Sequence, residues 1–300
     1  MTPTVSNTTK GAAMMVACMA IIGLVDNYVV LIAKEAGLWQ FHLCRSALVC
    51  GALALMAWGM GWRIKPRRWQ GVAIRACCGA VSMAVYFGAL AVLPVAQVGA
   101  GLFTAPIFVL LFSVLVFRTP IGLWRVLAAV VGFAGVLLML RPDFTALNLI
   151  TILPMLAGVT WALTALSTRY LCEGEDTVTL LFWFFAALGA IGAAGLLVMQ
   201  VSDLGDGTSF FGRGWVTPTP VFWGWTLVQA VGSVLAVGML TRAYQIGETS
   251  YIAVFEYAFL IFASFWGWVL WGDQLDLLGG VGMAMIILSG GVIALRTADA

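Results

Sequence analysis

The chain has 300 residues, of which 62% are hydrophobic and 9% charged, and its formal net charge is +2. Soluble domains carry about a quarter of their residues as Asp, Glu, Lys and Arg to cover their surface. So sparse a charge excludes a soluble globule, and so slight a positive excess excludes a nucleic-acid surface.

A helix needs about 20 apolar residues to cross a bilayer core about 30 Å thick. Apolar segments bounded by charges, Pro or Gly fall at 11–33, 38–60, 69–93, 96–117, 121–140, 150–170, 178–200, 219–241, 249–271 and 277–296. They predict an all-α membrane protein of ten transmembrane helices. Stretches such as VGFAGVLLML (131–140) are apolar on every face, unlike the alternating strands of a membrane β-barrel. The first segment follows Lys10 in the manner of a signal peptide. It runs too long for one and lacks an A-x-A cleavage site, so it reads as the first span.

Polar residues inside these spans need a reason, because an ionisable side chain facing lipid is costly. Asp26 in span 1 and Arg45 in span 2 sit at matching depth, and His42 shares a helix face with Arg45. They read either as a fixed ion pair joining two antiparallel helices or as groups that handle substrate or protons. Span 3 carries Arg75, Gly79, Ser82 and Tyr86 along one stripe. Arg75 shares the depth of Glu256 in span 9, so these two read as a second couple.

The polar stripe recurs as Gln97, Gly101 and Thr104 in span 4, Thr160, Thr164 and Ser167 in span 6, and Trp225, Gln229 and Ser233 in span 8. Such faces enclose a cavity or make interhelical hydrogen bonds. Trp161, inside span 6, joins Tyr86 and Tyr257 as aromatic walls for an organic ligand. Trp39, Trp62, Trp69, Trp124 and Trp271 fall at span ends and read as an interfacial belt.

Small residues mark close-packed faces: Ala186, Ala190 and Ala194 with Gly189 and Ala193 in span 7, and Gly132, Gly135, Gly290 and Gly291 in spans 5 and 10. Spans 5 and 10 are then scaffold or a dimer seam, which leaves monomer and homodimer open. Cys18, Cys44, Cys50, Cys77, Cys78 and Cys172 lie in or at the ends of apolar segments without CxxC spacing and read as packing residues, so no metal site is expected.

Positive residues are retained in the cytoplasm. An inside N-terminus leaves Lys10, Arg63, Lys65, Arg67, Arg68, Arg118, Arg125, Arg169, Arg242 and Arg296 at cytoplasmic ends, against Lys34, Arg141 and Arg213 outside. Both termini are therefore expected in the cytoplasm, with the loop from Ser202 to Pro218 outside.

The chain also resembles itself. VGFAGVLLMLRP (131–142) answers MIILSGGVIALRT (285–297), and LVFRTPIGLWR (115–125) answers VLWGDQLDLLG (269–279). This divides the chain into five-helix repeats at 1–145 and 146–300. Five is odd, so the second copy enters the membrane inverted, and the substrate site of such transporters lies near the midplane between the halves.

Ten helices as five plus five, with the acidic turn Gly272-Asp273-Gln274 before a last helix of the form G-x-G…S-G-G, resemble the drug/metabolite transporter superfamily of EamA type. Within it, residues 11–296 are most similar to the YddG-like bacterial exporters of aromatic and other amino acids. The resemblance implies a pathway lined by spans 1, 3, 4, 6, 8 and 9 and a bacterial inner-membrane location. Its partners would be the bilayer and small molecules, amino acids and related amphipathic metabolites. Two features depart from the pattern. Arg118-Thr119-Pro120 stands in the first half where the second has Gly-Asp-Gln, and Pro106 in span 4 has no proline counterpart near Leu260 in span 9.

Enzyme readings find no support: a lone His42 makes no HExxH site, and no GxSxG elbow or Walker loop is present, so no cofactor is expected. No TVGYG filter marks a channel. The leading reading is a carrier exporting amino acids, aromatic ones included, by alternating access. The alternative is a membrane sensor or assembly subunit that binds small ligands without moving them. Asp26, Glu256 and His42 are the coupling candidates, and Arg75 beside Glu256 favours a facilitator or exchanger over proton antiport.

Overall fold

The computed structural model describes residues 5–90, 93, 95–119, 121–143, 149–201 and 207–298. Span 1 is α1 (Val5–Asn27) with α2 (Val29–Glu35), span 2 is α3 (Leu38–Met60) and span 3 is α4 (Trp69–Ala89). Span 4 is α5 (Val95–Leu102) with α6 (Ala105–Leu115), and span 5 is α7 (Leu123–Leu140). Spans 6, 7 and 8 are α8 (Leu149–Tyr170), α9 (Thr177–Val201) and α10 (Pro220–Ile246). Span 9 is α11 (Thr249–Ile252), a 3₁₀ turn (Ala253–Tyr257) and α12 (Ala258–Trp271), and span 10 is α13 (Leu277–Ala298). No strand occurs among the described residues. Among the described residues nine spans are long and apolar enough to cross a membrane by length and composition, and α8 is a further helix of 22 residues.

Three spans expected to be continuous are broken. In span 1 the Asn27 amide donates to Gly23 O at 2.7 Å and Ala263 O at 3.2 Å, and the side chain competes with the helix ladder just before Tyr28. In span 4 the Thr104 hydroxyl donates to Gly101 O at 2.5 Å, and Pro106 has no N–H for Leu102. Span 9 tightens to a 3₁₀ turn over the residues that include Glu256. Span 3 ends at Ala89 rather than 93, while span 8 runs past the expected 241 to Ile246.

The closest pairings are α7 with α13, α3 with α9, α4 with α8, and α1 with α10. Numbered by span these are 5 with 10, 2 with 7, 3 with 6, and 1 with 8. Exchanging each span for the one five places along returns the same set. Small residues make the first pairing possible: a Cβ on Gly135 would lie 2.6 Å from Gly282 O, and one on Gly282 would lie 2.6 Å from Gly135 O. Gly282 therefore fills the role expected of Gly290 and Gly291, neither of which faces α7. Gly192 approaches α3 in the same way, where its Cβ would sit 2.8 Å from Leu43 N.

Polar contacts sort the connections into two ends. One end holds the Arg125–Glu248 ion pair, the backbone N–H groups of Arg67 and Arg68 on Glu175, and Arg169 on Gln245 O. The other holds the Arg141–Asp276 ion pair and the segment from 207 to 219 folded over the α2–α3 turn. There Leu38 N donates to Phe210 O, Gln40 exchanges two bonds with Val216, and Thr219 bonds Glu35. Residues 202–206 of the long loop lie outside the described residues. Trp62, Trp69, Trp124 and Trp271 are exposed as an interfacial belt requires, but Trp39 is only 7% exposed and packs on Phe211.

Candidate functional site

The polar groups of the spans form three levels between the two ends. Nearest the Arg125–Glu248 end is Arg75, 2% exposed, on α4. Its Nε donates to Thr168 Oγ1 at 2.8 Å, Nη1 to Leu180 O at 2.9 Å and Nη2 to Thr241 Oγ1 at 2.9 Å. One guanidinium thus ties α4 to α8, α9 and α10. The expected couple with Glu256 does not form. Depth along a helix fixes only one coordinate, and the fork of donors turns toward two threonines and a carbonyl that satisfy it with neutral oxygens.

Glu256 occupies the middle level, on the 3₁₀ turn of span 9. It accepts from Trp161 Nε1 at 3.1 Å and 3.3 Å, and from the Tyr244 hydroxyl. No cation reaches it among the described residues. Tyr244 is missing from the sequence reading because Arg242 suggested the end of span 8. Arg242 is exposed at the surface of a helix that simply continues.

The third level lies toward the Arg141–Asp276 end. Asp26 and Arg45 are both there, as their depths require, but they do not touch. Gln229 of α10 stands between them: its Oε1 accepts from Arg45 Nη1 at 3.4 Å, and its Nε2 donates to Asp26 Oδ1 at 3.3 Å and to Val25 O at 2.6 Å. Arg45 Nη2 also donates to His42 Nδ1 at 3.1 Å. A guanidinium can only donate, so Nδ1 must accept and the imidazole proton sits on Nε2. The expected direct ion pair is replaced by a bridged one, since a long amide side chain from a third helix reaches the gap.

Aromatic rings surround this level. The Arg45 guanidinium lies 4.8 Å from the Phe41 ring centroid, His42 meets the edge of Phe87 at 4.6 Å, and Phe87 meets Tyr86 at 5.0 Å. Tyr28 stacks on Trp225 at 4.7 Å. Asp26 is exposed, and Arg45, Tyr86, Trp225 and Trp161 are half-buried, whereas Arg75, Thr168, Thr241 and Tyr244 are buried. The buried polar groups thus lie toward the Arg125–Glu248 end, and the half-buried and exposed ones toward the other.

Several predicted lining residues are buried or bonded to backbone in this structure. Tyr257 is fully buried and packs on Gly132 of α7 behind the Glu256 level, so it offers a ligand no surface. Ser82 donates to Ala157 O at 2.8 Å as a buried link between α4 and α8. Thr104 and Thr164 return their hydroxyls to their own helices, on Gly101 O and Thr160 O. Thr160 likewise bonds Leu156 O and stays half-buried beside Trp161, and Ser233 is 7% exposed. No cluster of three metal-ligating side chains occurs among the described residues, and the six cysteines are free.

Apolar helices packed around buried polar groups make a multi-pass membrane protein, and the proteins it is similar to are transporters. Residues 9–141 match the EamA-like transporter family. A pseudopaline exporter of Pseudomonas aeruginosa is 27% identical over 72% of this chain and 72% of its own. A riboflavin transporter of Brucella anthropi is 26% identical over 71% and 72%, and an uncharacterized transporter of Helicobacter pylori is 25% identical over 95% and 94%. A crystal structure 16% identical in sequence superposes with a TM-score of 0.78 over 98% of both chains, which shows the fold.

Proposed function

We propose that the chain exports amino acids, aromatic ones included, across the bacterial inner membrane by alternating access. The observation that carries this reading is the Trp161–Glu256 contact beneath the Asp26–Gln229–Arg45 bridge. An aromatic wall, a carboxylate and a separated pair of opposite charges face one interior, which suits a small amphipathic zwitterion. The exchange of spans that leaves the close pairings unchanged supports a 5+5 inverted repeat with its boundary near 145. Polar groups buried toward one end and more exposed toward the other suit one state of an alternating-access cycle. The ten-to-three division of Lys and Arg supports the Arg125–Glu248 end as cytoplasmic, with both termini inside. Relatives named for different small molecules, pseudopaline and riboflavin, align with most of this chain, which fits a cargo set by the side chains of the interior. Uptake and exchange of radiolabelled amino acids in proteoliposomes test the reading.

A further inference from the structure

The Gln229 amide presents an oxygen to a guanidinium and an N–H to a carboxylate. An α-amino acid presents the same two polarities at a similar spacing, its carboxylate for the oxygen and its ammonium for the N–H. Arg45 and Asp26 hold these positions from opposite sides, on α3 and α1, and they are too far apart to neutralise one another directly.

Around this bridge the donors are not all used. His42 is 2% exposed, its Nε2 has no partner, and its Nδ1 is occupied by Arg45, which fixes the proton on Nε2. Arg45 Nε is likewise buried without a partner. Buried N–H groups left unpaired cost free energy that an acceptor recovers. Asp26 is exposed and accepts one bond, the 3.3 Å bond from Gln229. The Gln229–Arg45 contact is long at 3.4 Å, so its replacement by a charged oxygen strengthens the interaction.

We propose that Asp26, Arg45 and His42 form the head-group subsite for an α-amino acid zwitterion, with Gln229 as an internal stand-in that the substrate displaces. The substrate carboxylate takes the Arg45 guanidinium in place of Gln229 Oε1, while His42 Nδ1 holds that guanidinium from the other side. Its ammonium takes the Asp26 carboxylate in place of Gln229 Nε2–H. Gln229 keeps its 2.6 Å bond to Val25 O as an anchor on one side. The substrate side chain then extends toward Tyr86 and Trp161. This inference rests on the amino-acid reading above and adds what reads the two charges.

The test is a competition panel against labelled phenylalanine in proteoliposomes containing the intact protein. Phenylalanine methyl ester, phenethylamine, 3-phenylpropionate and N-acetylphenylalanine each lack one charge, and each should compete at least about tenfold more weakly than phenylalanine itself. D26N should erase the preference for phenylalanine over 3-phenylpropionate, and R45Q the preference over phenethylamine. Saturable phenylalanine flux with all four analogues competing equally well would overturn the head-group assignment and leave the export reading standing. Absence of amino-acid flux in the parent protein would overturn both. Should a variant fail to insert, the analogue panel on the parent protein still decides.

Discussion

Trp161 donates its indole N–H to Glu256, 3.1 Å from Oε2, and so fixes an aromatic ring against a buried carboxylate midway through the bundle. The ring is half-buried, and its polar edge is already satisfied from behind. Replacing Trp161 with Ala should lower flux of aromatic substrates about tenfold, the order of a lost stacking contact, while insertion is unchanged. Trp161→Phe, which keeps a ring but loses the N–H, should recover part of it. Equal flux in Trp161→Ala and the parent would reduce Trp161 to packing.

Glu256 accepts from Trp161 and Tyr244 and has no cationic partner among the described residues, so the argument for a facilitator that leaned on Arg75 no longer applies. Glu256→Gln keeps an oxygen for both donors and removes the charge. A pH gradient should concentrate substrate in liposomes with the parent protein and fail to do so with Glu256→Gln, whose counterflow exchange persists. Gradient-driven accumulation by the variant would exclude Glu256 from coupling.

Arg75 links four helices through Thr168, Leu180 O and Thr241 near the Arg125–Glu248 end. Arg75→Ala should lower stability by about 2–3 kcal/mol, the scale of charge-assisted hydrogen bonds lost from a buried network, seen as a lower thermal midpoint in detergent. The same variant should raise labelling of a cysteine placed at Thr241 from the Arg125–Glu248 side. An unchanged midpoint and unchanged labelling would show that this node neither stabilises nor closes that end.

Asp276 caps α13 through Gly279 N at 3.1 Å and pairs with Arg141. The Arg141 hydrogen bond, then the Gly279 N–H, hold its carboxyl below the ordinary value of 3.8. A lowered folded-state pKa adds stability that is present above the unfolded value and lost as pH falls through the folded one. Acidification below pH about 4 should therefore weaken the α7–α13 junction, an effect absent in Asp276→Asn. Both side chains are about half exposed, so the shift in midpoint is small and shrinks with added salt. A full acid response in Asp276→Asn would assign it to other carboxylates.

The charge distribution predicts that the segment from 207 to 219 lies outside and the C-terminus inside. In a background lacking the six native cysteines, Thr217→Cys should react with an impermeant reagent on intact cells and Thr297→Cys only after permeabilisation. Labelling of Thr297→Cys on intact cells would reverse the topology.

The ten spans were legible because a bilayer demands an unbroken apolar length, and glycines marked spans 5 and 10 as close-packed without showing that they pack on each other or that Gly282 is the partner of Gly135. Partners inside the bundle were not. Arg75 and Glu256 share a depth, yet each turns to neighbours on other helices, and azimuth is invisible to a count of residues from a span end. Thr168 and Thr241 carry no charge to single them out, and Tyr244 lies beyond an arginine that mimics a helix end. Gln229 was visible as a polar residue, but only the packing of α10 beside α1 and α3 reveals it between Asp26 and Arg45. The breaks at Tyr28 and Thr104 come from side chains bonding nearby backbone carbonyls, a local competition that apolar periodicity does not register.

The most direct measurement of the central claim is amino-acid flux in proteoliposomes holding the purified protein. Labelled phenylalanine should enter with saturation and accelerate when the lumen is preloaded with unlabelled phenylalanine, because a carrier exposes one interior site alternately to the two sides. Binding without flux, or flux that rises linearly with concentration and ignores preloading, would contradict an alternating-access amino-acid exporter.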